Sequence, residues 1–209
     1  MTAQTPWRIR LATAAAPIVL VSLCAALARG DDSAWVARIN GAPTLTRAQK
    51  TTALHRGDPV GVGDVIETDD TSKVKILLAD DSILDIGPGT RVSLEKFLVQ
   101  SRSRTVQLKV LVGKFKLAVA KFFGGPTDYE VRTPTAVAGV RGTTLWGDTQ
   151  RDVICALDGI VEVRALSGAK EPARLVTGHC VNQMRAGKTA PLIPSAADLA
   201  AYLREVTIE

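Results

Sequence analysis

Few residues of this chain have the types and spacing that catalysis requires. The two histidines are His55 and His179, and His179 adjoins Cys180, so a thiol activated by an imidazole is the one nucleophilic pair on offer. That chemistry needs a free thiol, which a disulfide at Cys180 would remove. The HExxH, GxSxG and P-loop patterns are absent. The sequence therefore predicts no catalytic residues.

Acidic pairs are the next candidates for chemistry. Asp69-Asp70 and Asp80-Asp81 lie in predicted turns, but Ca²⁺ takes about six to eight oxygen ligands from a complete loop, which neither stretch provides. Turn formation explains these aspartates, because their side chains bond to nearby backbone groups. Carboxylates that cleave sugars would need aromatic neighbours, and the aromatic content is only 4%. We expect no metal site and no cofactor. Because catalytic residues are not predicted either, we expect a protein that is not an enzyme.

The N-terminus indicates the compartment. Arg8 and Arg10 precede an uncharged run, residues 11–28, which ends in the small-x-small pattern Ala26-Leu27-Ala28. These features are typical of a secretory signal peptide cleaved after Ala28. We therefore predict a periplasmic protein that keeps no stable membrane span. The alternative is an uncleaved signal that anchors the chain in the inner membrane. The 18 residues of the run 11–28 are close to the number, about 20, that a bilayer span takes.

Two cysteines, Cys155 and Cys180, remain once Cys24 leaves with the predicted signal. An even number of cysteines in an oxidising compartment predicts a disulfide between them. The alternative is a pair of buried thiols that pack as small hydrophobic residues.

The charge distribution argues against nucleic-acid binding. The chain has 26 Lys and Arg against 21 Asp and Glu, a formal net charge of +5, and its basic residues are dispersed among acidic ones. A nucleic-acid interface would concentrate them on one face. We expect the partner to be an envelope protein or polymer instead. The sequence carries no signal for an oligomeric state.

Apolar and charged residues alternate along much of the chain. Val74, Ile76 and Leu78 fall on one face of a segment, with Lys73 and Lys75 on the other. Similar alternation recurs in residues 106–110, 114–119 and 161–164, separated by Gly, Pro and Asp clusters. A period of two is typical of strands with one buried face. The sequence predicts a mainly β fold of stacked antiparallel strands in a roll, a sandwich or a twisted solenoid-like arrangement.

A weak internal repeat accompanies the alternation. Gly63, Gly113 and Gly159 each open a predicted strand, and a second Gly turn follows each at Gly89-Thr90, Gly142-Thr143 and Gly187-Lys188. A fixed period favours stacked β units. Coincidence in a Gly-containing β protein is the alternative.

Four regions follow along the chain: the signal peptide 1–28, a leading β-hairpin region 29–59, a main β domain 60–165, and 166–209 with C-terminal strands and a short helix packed on the domain. Asn40-Gly41 is a favoured hairpin turn pair. Ser195 can cap the helix, which places Leu199 and Leu203 on one docking face.

Residues 129–146 contain a short strand, a Thr-Pro break, an apolar run of small residues and a Gly-Thr turn. This order resembles the core motif of the FecR domain family, an extracytoplasmic β module. Other elements follow the family's order. They are the "GD-x-I-x-T" segment 63–68, the strand–turn–strand 72–86 usually written "DGS", the strand pair 106–119 and the segment 158–163. The resemblance covers roughly residues 60–164, so the main β domain is FecR-like.

The chain departs from the family pattern in two places. Asp81 stands where the family usually has Gly in its "DGS" turn, and Asp tolerates the left-handed conformation better than most residues. Signalling members of the family carry an anti-sigma segment before a membrane helix. The residues before position 11 of this chain are too few for such a segment. The resemblance therefore implies a standalone secreted protein, a non-enzymatic binding or scaffold module of the envelope. The alternative is a sensor or co-regulator in transmembrane, iron-responsive, anti-sigma-linked signalling.

The candidate binding surface is the family's strongest segment, with Arg141, Thr143 and Trp146 as its contact residues. The alternative is a structural turn, in which the glycines permit close backbone packing and Trp146 fills the core. Arg141 is the best candidate for an exposed polar contact.

Overall fold

The computed structural model describes residues 32–168 and 171–208, so the predicted signal peptide and its cleavage site lie outside the described residues. The first nine strands are β1 (Asp32–Asn40), β2 (Thr44–Arg47), β3 (Lys50–Ala53), β4 (Pro59–Gly61), β5 (Val65–Glu67), β6 (Lys73–Leu78), β7 (Ile83–Ile86), β8 (Arg91–Gln100) and β9 (Ser103–Val112). The later strands are β10 (Lys114–Ala118), β11 (Thr127–Arg132), β12 (Ala136–Val140), β13 (Thr144–Asp148), β14 (Val153–Asp158), β15 (Ile160–Ala165), β16 (Ala173–Val176), β17 (Cys180–Asn182) and β18 (Pro191–Leu192). A 3₁₀ turn, Met184–Ala186, and one helix, α1 (Ala196–Val206), complete the described elements.

The strands form two nine-stranded sheets, which the chain builds in alternation. The first sheet has the order β18-β17-β14-β13-β10-β7-β6-β1-β4, and the second has the order β16-β15-β12-β11-β9-β8-β5-β2-β3. Hairpin β6–β7 in the first sheet is followed by β8–β9 in the second, and β13–β14 is followed by β15–β16. Among the described strand pairs only β9–β11 is parallel. The predicted mainly β, stacked and largely antiparallel fold is confirmed.

Alternation along the strands builds the core between the sheets. Val74, Ile76 and Leu78 are buried, as their spacing predicts, while Lys75 extends from the outer face of the same strand. Sheet pleating explains this arrangement, because successive side chains point to opposite faces. No helix within the described residues is long and apolar enough to cross a membrane.

The leading region turns at a different place from the one predicted. Strands β1 and β2 belong to different sheets, so Asn40-Gly41 carries the chain between the sheets and does not close a hairpin. Gly41 has a φ of +88°, and a Cβ there would overlap Ser72. The hairpin lies at β2–β3, where Ala48 and Gln49 have φ values of 47° and 66°, as a tight hairpin turn requires.

Part of the internal repeat has a physical basis. A Cβ on Gly113 would overlap Thr90, and a Cβ on Gly159 would overlap Thr143, so each Gly-Thr turn packs on the glycine that opens a later strand. Gly63 has no such neighbour. The repeated glycines thus permit close approach of successive units in the middle of the chain but not at its start.

One ion pair is enclosed between the β6–β7 turn and β9. Arg104 Nη1 donates to Asp80 Oδ2 at 2.9 Å, and the side chains are 1% and 2% exposed. Arg104 Nη2 donates to the carbonyl of Ala120 at 2.9 Å. The guanidinium carbon also lies 5.2 Å and 5.3 Å from the ring centroids of Phe122 and Tyr129. The pair therefore joins a turn of the first sheet to a strand of the second.

The "DGS"-like turn holds the acid of this pair in place. The hydroxyl of Ser82 donates to Asp80 Oδ2 at 2.9 Å, and it accepts from the Ala120 N–H at 3.1 Å. Asp81 has a φ of +65°, the left-handed conformation that its position in the motif implies. The sequence predicts only a turn residue at Asp80, because its partner lies 24 residues away.

We expect Arg104→Met to lower the free energy of unfolding by about 3–5 kcal/mol, because Asp80 would stay buried without its counter-charge. The control is Arg132→Met, which removes an exposed ion pair to Glu130 and should cost less than about 1 kcal/mol. Urea denaturation of the two variants measures the difference. A loss for Arg104→Met no larger than that of the control would contradict the assignment.

Candidate functional site

An open groove with a volume of about 600 Å³ crosses the outer face of the second sheet. Glu130, Gly139, Glu162 and Arg174 occupy matching positions on the adjacent strands β11, β12, β15 and β16. Their neighbours along the strands are buried, so this row faces outward. Gly139 has no side chain, and the gap that it leaves between Glu130 and Glu162 deepens the groove.

The structure separates the three residues of the predicted binding surface. Arg141 is exposed and lines the groove, and it makes no hydrogen bond or ion pair within the part of the chain that the structure describes. Thr143 also lines the groove but is only 4% exposed. Trp146 is completely buried on the other sheet and cannot contact a partner there. The chain changes sheets at Gly142, whose φ is +60°, and this crossing divides the motif.

Charges of both signs line the groove. Glu130 is paired with Arg132, whose Nη2 lies 2.9 Å from its carboxylate. Arg141, Arg174, Glu162 and Asp128 have no such partner among the described residues, so two guanidinium groups and two carboxylates are available to a bound molecule. These groups can bind charged side chains or termini.

Sequence reasoning missed Glu162 and Arg174 as groove residues. The alternation around Glu162 correctly predicts the solvated face of a strand, but a single strand carries no information about its neighbours. The row exists only because four strands align in one register. Gly139 lies in a run of small apolar residues and faces outward. It was the one local signal that could have indicated a gap between neighbouring side chains.

The groove ends at an edge of the sheet. Strand β16 is the edge strand on this side, and Arg174 is one of its residues. Ile160 and Val176 lie opposite each other beside the groove and are 39% and 45% exposed. An edge strand offers unpaired backbone groups to an additional strand. Backbone pairing and charged contacts are therefore available at one place.

The predicted disulfide between Cys155 and Cys180 is confirmed. The two residues lie opposite each other on β14 and β17, so the bridge links adjacent strands of the first sheet. It also removes the thiol that a nucleophilic pair with His179 would need. Among the described residues, no group of three or more His, Cys, Asp or Glu side chains could hold a metal ion.

Helix α1 covers Trp146 on the outer face of the first sheet. The rings of Trp146 and Tyr202 are stacked, with centroids 4.3 Å apart and planes 2° from parallel. Val206 is fully buried in the same cluster. Docking of the helix agrees with the sequence, although Tyr202 and Val206 anchor it, while Leu199 and Leu203 are half-buried.

Polar contacts stabilise both ends of the helix. Ser195 accepts a hydrogen bond from the Asp198 N–H at 3.1 Å, which is the predicted N-cap. Near the C-terminus, both Glu205 carboxylate oxygens accept from Arg151 at 2.8 Å. Lys73 Nζ donates to the carbonyl of Thr207 at 2.9 Å. The hydrogen bonds from Arg151, with the nearby charge of Lys114, hold the pKa of Glu205 below its usual value.

The FecR protein family model matches residues 64–171, more than half of the chain. This chain belongs to the FecR family. Two crystal structures of a proposed anti-sigma factor from Parabacteroides distasonis ATCC 8503, at 2.50 and 1.65 Å resolution, have a similar fold. Both are 22% identical to this chain over 66% of its length, with TM-scores of 0.51 and 0.50. The alignments span 63% and 64% of those chains, less than two thirds of their length. No curated protein matches the chain.

The FecR match includes the buried Arg104–Asp80 pair and most of the groove. Arg174 and helix α1 lie beyond the matched residues, and β1 lies before them. Strand β1 nevertheless sits inside the first sheet, between β6 and β4. The leading and C-terminal segments therefore complete the sheets of the FecR domain.

We expect reduction of the Cys155–Cys180 bridge to lower the free energy of unfolding by about 3 kcal/mol, because a link across a sequence separation of 25 restricts the unfolded chain. Urea midpoints with and without reductant measure this effect. A variant with alanine at both positions should show the reduced midpoint in either condition. Identical midpoints for the oxidised and reduced wild-type protein would contradict the prediction.

Helix docking should weaken in acid. The folded-state pKa of Glu205 lies below its unfolded value of about 4.5. The ionised side chain therefore stabilises the folded protein above that pH, and this stabilisation is lost as the pH falls through the lowered pKa. Urea unfolding at neutral pH and near pH 3 should therefore show a smaller acid-induced loss in Glu205→Gln than in the wild-type protein. Glu171→Gln is the exposed control. Equal losses in wild-type and Glu205→Gln proteins would refute the prediction.

Proposed function

We propose that this chain is a non-enzymatic, periplasmic FecR-domain protein that binds an extended segment of an envelope partner. The observation that carries the proposal is the groove of the second sheet, in which Arg141 is exposed and unpaired among the described residues, next to the edge strand β16. We thus propose one surface for the binding or scaffold role that the sequence leads us to expect.

The shape of the site favours an extended polypeptide. A segment that pairs with β16 would continue the sheet, and its alternate side chains would lie beside Arg174 on the outer face. Acidic side chains would match Arg174 and Arg141, and a basic one would match Glu162. Such complementary charges select a partner and its register.

A role without catalysis is consistent with the chemistry of the groove. Its lining residues supply carboxylates, guanidinium groups and a buried tyrosine, Tyr129, whose pKa is raised by burial far above its ordinary value. A neutral phenol and dispersed charges bind ligands, but they do not form the nucleophile, base and orienting group of a catalytic site.

The second candidate function is that of a sensor or co-regulator in transmembrane signalling. Membership of the FecR family favours it, as does the fold shared with a proposed anti-sigma factor. In this case the partner at the groove would be a receptor or an anti-sigma protein. A structural envelope protein or a wall polymer would instead indicate the scaffold role.

We expect Arg141→Glu to weaken partner capture about tenfold, which corresponds to about 1.4 kcal/mol. The test places the photo-cross-linker benzoylphenylalanine at Ile160, at the wall of the groove. The protein is cross-linked in native envelopes, and the captured species is identified by mass spectrometry. The matched control is Arg164→Glu, because Arg164 is exposed on the same strand as Ile160 but does not line the groove.

The same cross-linker at Leu166, the residue after the other end of β15, should capture the partner poorly. Equal capture by the wild-type protein and Arg141→Glu would place the binding surface elsewhere. Unfolding midpoints of both variants should stay near that of the wild type, since neither arginine makes an ion pair within the described residues.

A further inference from the structure

The connection between β10 and β11, residues 119–126, presents an aromatic side chain to solvent. Phe123 is 94% exposed, whereas the adjacent Phe122 packs against the buried guanidinium of Arg104. Single exposed apolar residues are common, whereas exposed apolar side chains that lie together mark contacts with a partner or a membrane. What surrounds the ring therefore decides whether it marks a contact.

The loop is held against the hairpin tip of β8–β9. A Cβ on Gly124 would lie 2.5 Å from the carbonyl oxygen of Ser101, and a Cβ on Gly125 would overlap Arg102. The two segments, residues 99–102 and 119–126, therefore form one projection, here called the Phe123 tip. Because both glycines pack on backbone, the position of the tip relative to the sheets is defined.

The Phe123 tip carries only positive charges. Its charged residues are Arg102 and Lys121, both exposed, and it contains no Asp or Glu. Neither cation makes an ion pair within the described part of the chain. Val99, within the tip, is 40% exposed and the preceding Leu98 is 53% exposed, and both add apolar surface. An aromatic ring flanked by lysine and arginine is the chemistry of an interfacial membrane contact.

The chain enters the domain at the same end. The carbonyl of Ser33, in β1, accepts from the Ala79 N–H at 2.9 Å, and Ala79 precedes the Asp80 that binds Arg104 beneath Phe122. Only three residues separate the apolar run 11–28 from β1. Four peptide units span at most about 14 Å. In the alternative in which the signal stays uncleaved and the apolar run anchors the chain, the membrane would therefore lie against this end of the domain.

We propose that the Phe123 tip rests on an anionic lipid surface, with Phe123 in the interfacial region and Lys121 and Arg102 against lipid phosphates. A basic segment near a membrane is attracted to anionic headgroups. The positive charges of Lys121 and Arg102 complement the negative charge of such a surface. The proposal goes beyond partner binding at the groove and uses different residues. Lipid contact at the tip and partner binding at the groove can therefore fail independently of each other.

The test measures amide hydrogen exchange of the full chain, residues 1–209, in nanodiscs. One sample contains phosphatidylglycerol and phosphatidylcholine, and the other contains phosphatidylcholine alone. The apolar run is present in both, so a difference between lipids reports the tip. We expect amides of residues 119–126 to exchange at least roughly threefold more slowly in the anionic discs, and added salt should reduce the difference.

Phe123→Ser and Lys121→Glu should each abolish the difference between lipids. The matched control is Leu166→Ser, because Leu166 is 60% exposed at the opposite end of the sandwich, where its N–H donates to Thr135. Unchanged exchange in β9 shows that each variant is folded. Equal exchange in both lipids, or slowing that appears only when an envelope protein is added, would overturn the proposal.

Discussion

The enclosed ion pair between Arg104 and Asp80 is the contact on which this end of the molecule depends. Two charges are taken out of water, and each is tolerated there because it lies against the opposite charge of its partner. The pair joins the two sheets, and Phe122 and Tyr129 pack on the guanidinium. The residue after Tyr129, Glu130, faces the groove. One buried interaction thus positions both the groove wall and the base of the Phe123 tip.

The two outer faces of the sandwich have different roles because only one is covered. Helix α1 closes the first sheet, where Tyr202 stacks on Trp146 above the Cys155–Cys180 bridge. No described helix covers the second sheet, and its row of charged side chains around Gly139 remains accessible. The crossing at Gly142 assigns the two halves of the family motif to these faces. Arg141 therefore meets solvent while Trp146 becomes core.

Glycine makes these arrangements compatible with close packing. At Gly113 and Gly159 it lets one unit lie directly on the threonine of an earlier turn, and at Gly124 it seats the Phe123 tip on a hairpin carbonyl. At Gly139 the missing side chain leaves space that is not filled by a neighbour. The same residue type therefore closes the sandwich in some places and opens a groove in another.

The sequence by itself determined the properties that depend on neighbouring residues. The period of two along β6 defined its buried face, Ser195 capped the helix, and the "DGS"-like turn placed Asp81 in the left-handed conformation. The disulfide followed from two cysteines and their expected compartment, and the family motif led to the FecR fold. These are local or pairwise inferences with few alternatives.

Only the tertiary structure decided which distant residues meet. Asn40-Gly41 suits a tight turn, yet the choice between a hairpin and a crossing depends on which sheet can pair with β2. The counter-charge of Asp80 lies on a strand of the other sheet. The groove forms only where four strands align in one register. Strand pairing and burial act across long sequence separations, so no local pattern encodes them.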